Sequence, residues 1–411
     1  MSPFTVMKTS GRRLRILHCT AGYAPAWTLG GPPRSTANLC EGLAARGHDV
    51  VVFTTRLGLE HRSDLPEDGP VVRHGVTVHY FPLSGGPGIR STAFARDVHA
   101  RAGEFDLMHV TGVWQVTSIS ACRAAARHRL PYVVSPRGAL SEYSFSQKRL
   151  KKSLYWLLWE RRQVNGAAAV HYTALAEREE CRRLRPRAPG FIVPNSIDLR
   201  AWQPDAEAGV AWRSRHGIGP DEFVFLNSGR LHHKKGLEIL LDSAGGLPRD
   251  RRWKIVFAGP DEDGTGRRLG ELGAACGVAD RLVFTGPLET AELCAAYSAA
   301  DLFLFPSRNE NFGNVAVEAL ACGTRVVLSE GVGCASELAD CAGVVVLPRL
   351  TGMWRNEMAR ALNRASLPGD IQATRRRRLE ARYSAAAVAA AMENSYREVL
   401  ERSGAERRAA A

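Results

Sequence analysis

Two glutamates, Glu310 and Glu318, stand eight residues apart in Phe305-Pro-Ser-Arg-Asn-Glu310-Asn-Phe-Gly-Asn-Val-Ala-Val-Glu318. The apolar run ending at Phe305 predicts a strand, the residues around Glu310 a polar turn, and Asn314–Cys322 an amphipathic helix. Asn311, Phe312, Gly313, Asn314 and Val315 line the turn and the helix start. Backbone N–H groups at a helix start lack intrahelical partners and suit a phosphate. Carboxylates accept hydrogen bonds from hydroxyls. A nucleoside diphosphate on that helix would set one glutamate at its sugar and the other at its ribose, which is sugar-nucleotide chemistry.

A second block, Ser228-Gly-Arg230-Leu-His-His-Lys-Lys235-Gly236, follows a predicted strand and opens a helix. Arg230 and Lys235 could hold both phosphates of a diphosphate and neutralise its charge as it departs. Near the amino end, Gly30 and Gly31 lie between the first strand and a helix, where glycine lets backbone approach a phosphate closely. The pattern is not GxGxxG, which argues against a dinucleotide cofactor. His109 ends one predicted strand and Arg137, in Ser-Pro-Arg-Gly, ends the next. Both are expected to face a cleft.

Short β-branched runs alternate with helical stretches throughout, which predicts an α/β protein with two parallel sheets. The first half offers strands at Leu14–Thr20, Val50–Thr55, Val76–Tyr80, Leu107–Thr111, Tyr132–Ser135 and Ala168–Tyr172. The second offers Val224–Ser228, Lys254–Gly259, Leu282–Thr285, Leu302–Phe305, Arg325–Leu328 and Gly343–Leu347. Ligands of such sheets bind beyond the strands' carboxyl ends, so the site is expected between the halves. A Pro- and Gly-containing stretch at Ser196–Asp221 marks the boundary. The expected domains are residues 1–200, residues 201–384, and a last segment 385–411. In that segment a helix, Ala385–Arg402, packs back on the first domain and Ser403–Ala411 fray.

The chain has 411 residues and a net charge of +13. Residues 1–200 hold 28 Lys and Arg against 15 Asp and Glu, whereas residues 201–411 hold 27 of each. The basic first half points to an anionic partner such as a membrane surface or a lipid diphosphate. No recognition motif supports nucleic acid. Gln147–Arg162 sets basic residues around a Leu/Trp/Tyr core, a pattern shared by interfacial membrane helices and by helices packing aromatics into a domain. The run Arg375–Arg378 reads as a solvated face.

No segment approaches the roughly 18 apolar residues of a membrane-spanning helix, and Met1–Arg15 lacks the apolar core of a signal peptide. Nine scattered cysteines without a CxxC pair fit a reducing cytoplasm. Asp261-Glu262-Asp263 matches an acidic metal triplet formally, but its setting after Gly259-Pro260 reads as a solvated turn. No metal and no cofactor beyond the donor substrate are expected.

Taken together, these blocks resemble family 4 of the retaining glycosyltransferases over roughly residues 14–400. The resemblance implies the GT-B fold, two Rossmann-like domains facing across a cleft. It implies that Arg230 and Lys235 bind the donor diphosphate, Glu310 the donor sugar and Glu318 the ribose, while Gly30 and Gly31 meet the phosphates or the acceptor. Pro194-Asn195-Ser196-Ile197-Asp198 resembles the family's hinge, with Ser196 where glycine is usual. Many members carry a sugar-facing histidine where this chain has Arg137, to which only a place in the cleft is carried over. Ser-Pro-Arg-Gly followed by a basic, Trp-rich helix is similar to a subgroup associated with bacterial exopolysaccharide and lipopolysaccharide assembly.

The implied protein is a cytoplasmic enzyme, peripheral at the inner membrane face where its basic half meets lipid. It moves sugar from a UDP- or GDP-linked donor to a glycan or lipid-linked acceptor. No carboxylate pair for double displacement stands out, so front-face attack fits retention. A nucleotide-sugar hydrolase or epimerase on the same fold, and a non-catalytic sugar-nucleotide-binding scaffold, are the alternatives.

Overall fold

Runs such as Val50-Val-Val-Phe53, apolar at every position, belong to strands covered on both faces, and Asp49–Thr55 is buried along almost its whole length. The computed structural model describes residues 12–409, apart from 60, 61, 63, 64, 67, 68, 87, 364–366 and the side chains of 406–409. Most of the leader reading at Met1–Arg15 therefore lies outside the described residues.

Eight strands form the first sheet: β1 (Arg15–Thr20), β2 (Asp49–Thr55), β3 (Pro70–Arg73), β4 (Val76–Phe81), β5 (Leu107–Thr111), β6 (Tyr132–Ser135), β7 (Ala169–Tyr172) and β8 (Gly190–Ile192). Their order is β3-β4-β2-β1-β5-β6-β7-β8, and only β3 runs antiparallel to its neighbour. Six strands form the second: β9 (Phe223–Ser228), β10 (Trp253–Ala258), β11 (Leu282–Gly286), β12 (Leu302–Phe305), β13 (Arg325–Ser329) and β14 (Val344–Leu347). These are all parallel, in the order β11-β10-β9-β12-β13-β14.

Strand order reverses between β1 and β5 in one sheet and between β9 and β12 in the other. A crevice opens at such a switch point, beyond the carboxyl ends of the strands. The loops leaving β1, β9 and β12 carry Gly30-Gly31, Arg230 to Lys235 and Glu310 respectively. Topology thus collects the three motifs.

Two strands, β3 and β8, are absent from the sequence reading. Each is a short sheet-edge piece, one opening on Pro70 and the other only three residues long, too brief to show a period. The helix pattern read at Gln147–Arg162 is broken into Arg149–Tyr155, a π-helical stretch Trp156–Glu160, and Arg161–Asn165.

The chain crosses between the sheets twice, and the crossings are joined: Ile197 N–H donates to Tyr383 C=O at 2.8 Å. Beyond them, Val388, Ala389, Met392, Tyr396 and Val399 of the last helix join the core beside β1 and β2. Gly42 allows this approach, because a Cβ there would stand 2.8 Å from Ala385 O. Buried Glu393 pins the helix through Arg46 (2.6 Å), and Arg397 of the same helix holds its other oxygen (2.6 Å). The last helix runs Ala385–Ala409, and residues 410 and 411 lie outside the described residues.

The arginine run also needs correction. Arg375 is buried and donates to Thr324 O at 3.3 Å, while Arg376 donates to the carbonyls of Trp202 (2.6 Å), Ala321 (3.3 Å) and Leu199. These guanidiniums satisfy helix-end and loop carbonyls, so only part of the run is a solvated face.

Candidate active site

After β12 the chain turns at Ser307–Phe312, and backbone hydrogen bonds clamp Glu310 on both sides. Its N–H donates to Gly331 O and its C=O accepts from Gly333 N, each at 2.8 Å. Lys235 Nζ lies 2.8 Å from Glu310 Oε2, and Ser307 Oγ lies 3.3 Å from the same oxygen. Burial alone would raise the carboxyl's pKa, but Lys235, with Lys234 behind it, outweighs burial and holds it below the usual value. Glu310 is therefore an anion at neutral pH.

Lys235 ends a single 3-10 turn, His233–Lys235, that follows β9. The turn closes on Gly236 at φ +62°, where a Cβ would approach Pro306 O to 2.8 Å, so only glycine lets the lysine loop pack beneath the Glu310 turn. Gly313, at φ +96°, plays the same part for the helix Asn314–Ala321, since a Cβ there would stand 2.6 Å from Val332 Cγ1. No side chain caps that helix, which leaves its first N–H groups for an anion.

Glu318 is half-buried on this helix, 3.5 Å from Tyr297 OH. Burial pushes its pKa up to about 7, against the opposing pull of Arg34. It lines a cavity of about 230 Å³ with Trp27, Arg34, Thr290 and Asn314. Arg34 reaches across the cleft to Thr290 Oγ1 at 3.2 Å and lies 5.0 Å from the Trp27 ring. The glycine loop closes one wall: Gly30 sits at φ +89°, and a Cβ on Gly31 would come within 3.4 Å of Asn314 Nδ2. Pro32 and Pro33 open the following helix and supply no N–H, so it offers fewer phosphate donors than the glycine pair suggested. A larger cavity, about 530 Å³ and lined by Arg12, Phe105 and Arg397, lies at the amino ends of β1 and β5, where parallel sheets do not bind ligands.

Arg137 sits on its tight turn at φ +55°. Its guanidinium donates to Asn195 Oδ1, and Asn195 Nδ2 donates to Asn314 Oδ1 at 2.9 Å. The arginine thus reaches the helix Asn314–Ala321 of the second sheet's half through Asn195. Buried Glu177 accepts from Gly138 N (2.6 Å) and Thr173 N (2.7 Å) and steadies the same turn. Asn311 crosses to Thr173 Oγ1 at 2.9 Å, and Phe312 is buried in the second core.

His109 is not brought to this group. It is fully buried, its Nδ1 is 2.6 Å from Tyr396 OH on the last helix, and its ring packs between His18 and His171. Burial holds its pKa well below the usual histidine value, so it is a neutral core residue. Arg230 is exposed, 3.6 Å from Glu262, and stands apart from the Lys235–Glu310 pair. Asp261 and Asp263 accept hydrogen bonds from Gly266 N (3.0 Å) and Thr265 N (3.1 Å) at the start of the helix Thr265–Ala275. His232, His233 and Asp263 have ligand atoms within 4.8 Å of one another, but those side chains already bond Lys234 N, Tyr143 OH and Thr265.

Arg34, Trp27 and Thr290 had no role in the sequence reading, and Asn195 stood there only as part of the hinge segment. Each meets the site only across the cleft, and no local spacing records that. Arg34 does follow the glycine pair directly, which is the one signal that could have found it.

Residues 30–196 match the Glycosyl transferase 4-like domain, and residues 211–378 match Glycosyl transferases group 1. A D-inositol 3-phosphate glycosyltransferase of Xylanimonas cellulosilytica is 29% identical over 75% of this chain and 77% of its own. That of Jonesia denitrificans is 27% identical over 85% and 86%. Among solved structures, sucrose-phosphate synthase from Thermosynechococcus elongatus superposes with a TM-score of 0.74 at 22% identity, covering 94% of this chain and 99% of that one. Anabaena HepE in complex with UDP and glucose superposes at 0.72 and 20% identity, covering 94% and 100%. Members of this family use nucleotide-sugar donors without an obligatory metal. With both sheets matched and the motif loops at their switch points, the chain belongs to the group 1, family 4 retaining glycosyltransferases of GT-B fold.

Proposed function

We propose that this enzyme moves sugar from a UDP- or GDP-linked donor to a glycan or lipid-linked acceptor in cell-surface polysaccharide assembly, at the inner membrane face. The observation that carries the donor reading is the Lys235–Glu310 pair, 2.8 Å apart, beside an uncapped helix start. The diphosphate would lie on the N–H groups at Gly313, Asn314 and Val315, with Lys235, and Arg230 swung in from Glu262, matching its charge. Glu310 and Asn311 would take sugar hydroxyls, and Glu318 the ribose. Residues 1–200 then serve the acceptor, residues 201–384 the donor, and 385–411 tie the two together.

A uridine donor is supported by Anabaena HepE, whose structure is a complex with UDP and glucose. Glu310 and Glu318 serve separate cavities, which disfavours a nucleophile–acid pair. Front-face attack follows, with the departing phosphate oxygen taking the acceptor's proton. Lys235 and the helix start stabilise the charge that grows on that phosphate.

The test incubates the protein with labelled UDP- and GDP-sugars, a membrane lipid extract, and D-inositol 3-phosphate, the compound in the relatives' names. Label in lipid or glycan supports the reading. Label on inositol phosphate replaces the acceptor, free sugar alone indicates a hydrolase, and an unchanged donor indicates a scaffold.

A further inference from the structure

The segment 142–162 turns two faces in opposite directions. Phe145, Tyr155 and Trp156 point inward and meet Trp114, with ring centroids 5.3, 5.9 and 6.4 Å away. Leu150, Leu154, Leu157 and Leu158 point outward and are 88%, 58%, 63% and 53% exposed. Trp159 stands beside them, 5.1 Å from Tyr155. The sequence pattern fitted either a core helix or an interfacial one; here the aromatics anchor the segment while the leucines face solvent.

The charges around those leucines have one sign. Residues 142–162 contain six Lys and Arg and two glutamates. Of the two, Glu160 is buried and accepts from Trp114 N at 2.9 Å, so Glu142 is the only acid near the surface. Lys148, Arg149, Lys151, Arg161 and Arg162 are exposed. Apolar side chains ringed by cations match the interface of an anionic bilayer, where acyl chains lie beneath negative headgroups. An acidic protein would satisfy the cations but leave the leucines wet.

Position ties this face to the site. Tyr143, at the head of the segment, has its OH 3.2 Å from His233 Nε2, and Lys234 Nζ lies 5.2 Å from its ring. That lysine adjoins Lys235. A bilayer touching the leucines would therefore meet the protein close to the mouth of the cleft.

We infer that residues 148–162 form a docking surface for an anionic lipid bilayer, with Leu150, Leu154, Leu157 and Leu158 entering the headgroup boundary. The inference deepens the proposed reaction at a membrane face, and vesicle binding is read without sugar transfer, so either can fail alone.

The test is co-sedimentation of the full chain with phosphatidylcholine vesicles, with and without phosphatidylglycerol. Binding should require phosphatidylglycerol and weaken with added salt. Leu154→Ser/Leu157→Ser/Leu158→Ser, and separately Arg149→Gln/Lys151→Gln, should each lower partition by about tenfold or more. These side chains are exposed, and an unchanged melting temperature in each variant checks the fold. Equal binding to both vesicle types, or undiminished binding by the leucine variant, would overturn the inference. So would a wild-type dimer in lipid-free solution that the leucine variant converts to monomer, since the face would then belong to a second copy.

Discussion

Lys235 Nζ and Glu310 Oε2, carried on loops that leave two different strands of the second sheet, meet at 2.8 Å. The pair is mostly enclosed, with side chains 18% and 24% exposed, so each ion relies on the other for solvation. A donor diphosphate and sugar would share both partners. Lys235→Ala should therefore lower kcat by on the order of 10²–10³, measured as initial transfer rate at saturating donor. Wild-type turnover in the variant would remove Lys235 from the chemistry.

Glu318 makes the site pH-dependent. Its carboxyl titrates near 7 instead of 4.5 because it is buried. Between those values the folded chain keeps a proton that the unfolded chain has lost, so this group's contribution to stability falls as pH rises through the window. Glu318→Gln should abolish that fall and be the more stable protein at pH 8 by roughly 1–3 kcal/mol without donor. Donor affinity should move oppositely, strengthening in wild type as the carboxylate forms and staying weak and flat in the variant. Urea midpoints and donor titrations at pH 5, 6, 7 and 8 read both.

Asn195 joins Arg137 to Asn314. Asn195→Ala strands a half-buried guanidinium and frees the first side chain of the helix Asn314–Ala321. Stability should fall by about 1–3 kcal/mol, and donor KM should rise severalfold with kcat less affected. A fall in stability with unaltered KM would make the chain of bonds purely structural.

Arg376 tests the opposite case, a residue that holds the fold and not the substrate. Arg376→Ala removes charged hydrogen bonds to three carbonyls and should cost about 2–4 kcal/mol, seen as a lower urea midpoint. The fraction still folded should transfer at the wild-type rate.

How far the sequence revealed this architecture depends on how local each signal was. Strands β2, β6 and β12 announce themselves by apolar runs, and Gly236 and Gly313 mark turns that only glycine can make. Glu310, Lys235 and Glu318 were legible because each sits on a short motif between two such elements. His109 was misread because it is the middle residue of β5 and not its carboxyl end, and here the last helix supplies Tyr396 to cover it. The contacts of Arg34, Trp27 and Asn195 were not legible, because they exist only once two sheets face each other. The arginine run looked solvated because charge is ordinarily outside, whereas the carbonyls it satisfies lie far away in sequence.

Tyr396→Phe isolates the His109 contact. Losing the hydroxyl leaves His109 Nδ1 without its 2.6 Å partner and should cost about 1–2 kcal/mol with no change in the pH profile of transfer. A shifted profile would return His109 to the catalytic group.

The most direct measurement is a calorimetric titration of UDP and of GDP into the wild type and into Lys235→Ala. The donor-site account predicts that one of them binds the wild type and that the variant loses at least about tenfold in affinity, or about 1.4 kcal/mol. Equal affinity in both proteins, or no binding of either nucleotide, would contradict it.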